Sequence, residues 1–208
     1  MHGGHAYLGT GSLAHLSETE LAAEWELASL ARLAEADIRW HGIVLPATFE
    51  ARFYSLNNLP AKLSPLFRGL DPLDPDEDVL EEAEEEAVPL IAQHYLLDEW
   101  VDLVYDSLSW TGQTVVRRPG AAGGREASNR RGALLAVKAL FQDDWRVDAV
   151  SSRLATTGAY GIEARPVLLT PGSERPAADL SRRASAALGA AVKAWSDANG
   201  RLTRLRPA

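Results

Sequence analysis

Residues 91–108 carry the pattern that most limits how this chain can fold. Ile91, His94, Leu97, Val101, Val104 and Leu108 recur at intervals of three and four, and Tyr95, Trp100 and Tyr105 widen the stripe. That period puts them on one face of a helix, and the face must be buried against other elements. Pro89 either starts this helix or kinks it, because proline suits a first turn and disrupts an interior. With 208 residues the chain can bury a substantial core. Its six Trp supply large apolar anchors for that core or for an interface.

Other segments give weaker versions of the same signal. Ser17 and Glu20 form a capping box, and the stripe Leu27, Leu30, Ala34, Ile38 predicts a helix to about Trp40. A second helix is expected from about Pro46 to Asn57, and Pro60, Pro65, Gly69, Pro72 and Pro75 then read as a turn-rich connection. A helix is predicted over about 129–142. Trp145, Val147 and Ala149 alternate with Arg146, Asp148 and Val150, which predicts a strand. With a second strand over 161–170 it would make a hairpin, and Pro166 argues that this second strand lies at an edge. The last helix is expected over about 176–199, stopped by Gly200. The predicted class is α+β and predominantly helical: an N-terminal helical region (about 17–110), then a helix–β-hairpin–helix C-terminal region.

Charge divides the chain more sharply than structure does. Residues 1–110 carry 21 Asp/Glu against 5 Lys/Arg, and residues 111–208 carry 16 Lys/Arg against 8 Asp/Glu. The formal net charge of −8 conceals that split. Such asymmetry bears on association and choice of neighbours, not on fold. The negative charge peaks in residues 74–86, where nine of thirteen side chains are carboxylates. The positive charge gathers in a Gly-rich stretch, Arg117 to Arg125, and in the last eight residues. The segmentation expected is an irregular leader (1–16), an acidic helical domain (17–110), a basic Gly-rich linker (111–130), a basic α+β region (131–200) and a basic tail (201–208).

Several chemistries are excluded or unsupported. There is no Cys, which removes disulfides, thiolate nucleophiles and Cys-ligated zinc. No apolar run reaches the roughly 18–20 residues that span a bilayer. The stretch Met1 to His5 has no basic and apolar signal pattern, so a cytoplasmic location and no membrane partner are expected. No Gly-x-Ser-x-Gly, Ser-x-x-Lys or His-Glu-x-x-His occurs. The glycine clusters at residues 9–12 and 120–124 lack the Gly-Lys-Ser/Thr ending of a phosphate loop. Asp37 with His41, and His94 with Asp98, stand four residues apart on predicted helices. Packed together they would offer four metal ligands, but no Glu precedes a His by three residues as a di-iron bundle requires.

The reading is therefore a non-enzymatic structural or adaptor subunit of a protein assembly, with no cofactor. It would dock on other protein subunits or on copies of itself through residues 74–86 and through Arg117, Arg118, Arg125, Arg130, Arg131, Arg201, Arg204 and Arg206. Nucleic acid bound by the same arginines is the alternative, since flexible Arg-rich segments grip phosphate. A metal-dependent helical-bundle enzyme using Asp37, His41, His94 and Asp98 is third.

Overall fold

The structure is a computed structural model that describes residues 16–208. The two histidines at positions 2 and 5, the first glycine cluster and most of the expected leader lie outside those residues. The fold is α+β and predominantly helical, as the sequence predicts; the described residues are 51% helical and form two small antiparallel sheets.

A four-stranded sheet forms the middle layer. Its strands are β1 (Ile43–Leu45), β2 (Thr114–Arg117), β3 (Arg125–Ala127) and β4 (Val167–Pro171), ordered β1-β4-β2-β3. Successive side chains on a strand point to opposite faces, and each face meets a different core. Ile43, Leu45, Val116, Val167 and Leu169 join the larger core. That core is completed by α3 (Ala47–Leu56), α4 (Leu59–Leu63), α5 (Glu77–Gln93), α6 (Asp98–Ser107), α7 (Arg130–Asp143) and α8 (Val147–Thr157). Val44 and Leu168, one residue out of phase, join the smaller core. There they meet α2 (Trp25–Glu35), α9 (Ala178–Leu188) and the second sheet. α1 (Glu18–Ala23) precedes α2, and only Glu24, in an extended conformation, separates them.

The second sheet contains β5 (Arg175–Pro176), β6 (Val192–Ser196) and β7 (Leu202–Pro207), ordered β5-β6-β7. A parallel bridge between Trp40 and Leu202 ties it to the chain just before β1. The outer edge of β7 is covered. His41 N–H donates to the Leu202 carbonyl at 2.7 Å, Trp40 Nε1 to the Thr203 carbonyl at 2.9 Å, and Leu205 N–H to Glu26 at 3.1 Å. An edge occupied in this way cannot template another strand.

Several local expectations change. The single helix of residues 91–108 is two helices, because α5 ends at Gln93. The His94 ring donates from Nδ1 to the Leu90 carbonyl at 2.6 Å, taking the place of a helical backbone donor. Residues 145–150 are not a strand. Arg146 is the N-cap of α8, whose first amide, Val147 N–H, donates to Glu84 of α5 at 2.7 Å. A tertiary cap thus outweighs a short alternating pattern. β4 is an interior strand with every residue buried, and Pro166 precedes its first ladder pair, so no ladder donor is lost. The last predicted helix stops at Gly189, at φ +68°, and the chain returns as β6. Residues 111–130 supply β2 and β3, and residues 202–207 form β7.

Candidate functional site

Most of the arginines singled out above are bound within the molecule. Arg117 points into the smaller core with no exposed side-chain surface and meets Glu26, equally buried, through both terminal nitrogens at 2.6 and 2.7 Å. Glu26 also accepts from Gly120 N–H at 2.8 Å and from Leu205 N–H. One carboxylate therefore holds α2, β2, the Gly-rich loop and β7. Arg118 turns to the other face. Its Nη2 pairs with Glu50 of α3 at 2.8 Å and with Asp144, and its Nη1 donates to the Arg165 carbonyl at 2.7 Å. Burial pushes the Glu50 carboxyl above its ordinary value, against the opposing pull of Arg118 and of the Arg165 N–H. A buried charge persists only when paired and hydrogen-bonded; the terminal nitrogens of both arginines meet that condition, while each Nε is buried without a hydrogen-bond partner among the described residues.

The remaining arginines are divided. Arg125 forms a two-point pair with Asp143, and Arg130 donates to the Leu108 carbonyl at 3.3 Å. Arg201 binds Asp197 at 2.9 Å. Arg204 is clamped by Glu174 at 3.1 Å and by the Ala122 carbonyl at 2.8 Å. Arg131 is exposed and Arg206 half-buried.

The two His–carboxylate pairs do not form. Asp37 takes a left-handed conformation at φ +55° just past α2 and lies 3.6 Å from Arg39. His41 is buried instead against Asp197, with Nδ1 2.7 Å from Oδ2 and Trp110 packed edge-on at 5.3 Å. Burial would raise the Asp197 carboxyl, but hydrogen bonds from Arg201, His41 and Asn199 outweigh it and hold the group below its ordinary value. The histidine–carboxylate contact has the geometry of a base with its orienting acid. Here it fastens the β6–β7 turn to the start of β1, with His41 only 3% exposed. His94 accepts at Nε2 from Lys62 at 2.8 Å, while Asp98 is exposed at the start of α6. Among the described residues, no group of three or more His, Asp or Glu is placed to hold a metal ion.

The acidic segment behaves differently. α5 buries Leu80, Ala83, Ala87 and Ile91 as one stripe. Glu77, Asp78, Glu81, Glu82, Glu85 and Glu86 are exposed. Among the described residues, Glu84 alone of the nine carboxylates in residues 74–86 enters an ion pair, with Arg146 at 3.0 Å. An open groove of about 450 Å³ runs along this helix beside α8, lined by Glu81, Glu84, Glu85, Val88, Pro89 and Val147. Pro89 lies inside α5 and has no N–H, so the Glu85 carbonyl loses the donor that an uninterrupted helix would give it. The groove thus gathers carboxylate and carbonyl acceptors.

Sequence reasoning missed the partners of the arginines: Glu26, Glu50 and Asp144 carry no local motif, since each meets its cation only through the tertiary fold, whereas Asp197 stands four residues before Arg201. It also missed the exposed face of β6. The period-two alternation of Val192, Ala194 and Ser196 with Lys193 and Trp195 was there to be read. Among the described residues no helix is long and apolar enough to cross a membrane. No protein-family model matches the chain, and no curated protein matches it.

Proposed function

We propose that this chain is a non-enzymatic structural or adaptor subunit that docks on a basic protein surface through the exposed side of α5. The observation that carries this reading is that the basic half of the chain leaves α5 almost wholly unneutralised. Arg117, Arg118 and Arg165 go to Glu26, Glu50 and Glu24, whereas among the described residues Arg146 alone reaches the acidic run. Carboxylates crowded on one helix repel one another, and a cationic partner relieves that repulsion. The groove at Glu81, Glu85 and Pro89 offers a seat for a lysine or arginine side chain of that partner.

A charge-driven complex loosens as salt screens it. Gently isolated protein, sized across a salt series, is expected to run well above its 22.5 kDa chain mass at low salt and to approach it at high salt. A monomer of unchanged size at every salt concentration contradicts the reading.

A further inference from the structure

We propose that the outer face of the three-stranded sheet binds single-stranded nucleic acid, a second surface separate from the α5 docking side. In β6, Val192, Ala194 and Ser196 are buried, while Lys193 is exposed and Trp195 half-buried on the opposite side. The ladder sets Lys193 opposite Arg206 and Trp195 opposite Arg204. Residues paired across a ladder share a face. Three cations and one indole therefore share the face opposite the one that buries Val192 and Ala194, with the Arg204 side chain only 14% exposed.

The arrangement is built in advance of any ligand. The Arg204 guanidinium lies 4.3 Å from the centre of the Trp195 ring, held there by Glu174 and the Ala122 carbonyl. Indole and guanidinium planes are the surfaces on which unpaired bases stack. Beside this stack, Lys193 and Arg206 have no carboxylate partner among the described residues, so both are free for phosphate. Burial holds the Arg204 guanidinium below its ordinary value, and although Glu174 opposes this, the charges of Arg117 and Arg206 lower it further. Phosphate at Arg206 would relieve that crowding. An acidic protein would need the cations but not the indole between them, which favours nucleic acid as the occupant.

The acidic run of α5 does not forbid this. α5 and α6 belong to the core on one face of the four-stranded sheet, whereas β6 and β7 belong to the core on the other. Packed layers lie roughly 10 Å apart, so the two surfaces are farther apart than the roughly 8 Å screening length of physiological salt.

The test is anisotropy of short fluorescein-labelled oligo(dT) and oligo(U) titrated with the full chain at about 50 and 200 mM salt. Binding to at least one, weakening as salt rises, is expected. The double variant Lys193→Glu/Arg206→Glu should bind at least about tenfold more weakly, and Trp195→Ala about tenfold more weakly. Arg206→Lys should retain most of the affinity. Circular-dichroism melting checks each variant, and only those melting with the parent are scored. The proposal is overturned if neither oligonucleotide binds at low salt, or if the charge reversal leaves binding unchanged. Displacement of the oligonucleotide by an equal charge of poly-glutamate would also overturn it. So would self-association that the same reversal abolishes, if no oligonucleotide binds, because a second copy would then be the occupant.

Discussion

Arg117 and Arg118 are neighbours in sequence, yet each answers to a glutamate on a different face of the central sheet. Arg117 meets Glu26 of α2 in the smaller core, and Arg118 meets Glu50 of α3 in the larger one. β2 ends at Arg117 and Arg118 follows it, so the alternation of the extended chain delivers one cation to each core. Both carboxylates come from the acidic half and both cations from the basic half. Part of the charge division is thus used to join the two halves of one chain.

The first prediction concerns that junction. Removing one partner of a buried pair leaves an uncompensated charge, which costs about 3–5 kcal/mol. Arg117→Met should lower the urea unfolding free energy by about that much. The double variant Glu26→Gln/Arg117→Met should be more stable than Arg117→Met alone, because the stranded charge is gone while the Gln oxygen still accepts from one of the two amides, Gly120 N–H or Leu205 N–H, which bond to different oxygens of Glu26. Equal stability of the single and double variants would show that Glu26 does not depend on Arg117.

The second prediction concerns Gly42. A Cβ there would lie 2.3 Å from the Trp40 ring and 2.8 Å from the Leu169 carbonyl. The indole cannot easily retreat, since its N–H is bonded to the Thr203 carbonyl. Gly42→Ala should cost about 1–3 kcal/mol, the range for overpacking a filled site. Adding Trp40→Phe should recover part of the melting temperature; an unchanged melting temperature in Gly42→Ala would refute the close approach.

Asp197 gives a pH dependence with a definite sign. Its folded value lies below the ordinary 3.8 of the unfolded chain. The stability it supplies is fully present above the unfolded value and is lost as pH falls through the folded one. Asp197→Asn should therefore be less stable than the parent by a constant amount above about pH 5. The gap should narrow as pH drops below 3.8. Unfolding free energies across pH 2–7 check this, and a gap that widens toward low pH would reverse the assignment.

How far the chain could be read in advance follows from how local each signal is. The helices of residues 47–56 and 130–143 announce themselves through Pro46 and Asn129 at their starts and through their apolar spacing, and they appear as predicted. The strands were harder. β1 is three residues long, and β2 and β3 flank a Gly-rich loop that reads as a linker until Glu26 pins Gly120 and Arg204 pins Ala122. Gly189 was a visible helix stop, but the run of alanines around it masked the change of period that follows. The arginines were visible as a cluster, but their engagement was not. Whether Arg117 and Arg118 face solvent or a buried carboxylate depends on Glu26 and Glu50, 91 and 68 positions away.

The acidic helix remains the centre of the functional account, and charge reversal on it tests that account most directly. Glu81→Lys/Glu82→Lys/Glu85→Lys/Glu86→Lys spares Glu84, which caps α8 and pairs with Arg146. Retention of the partner by parent and variant, measured side by side across a salt series, is the decisive comparison. The account predicts that the variant keeps the parent's unfolding midpoint and loses the partner at every salt concentration. A stable variant that retains the partner as well as the parent does would contradict it.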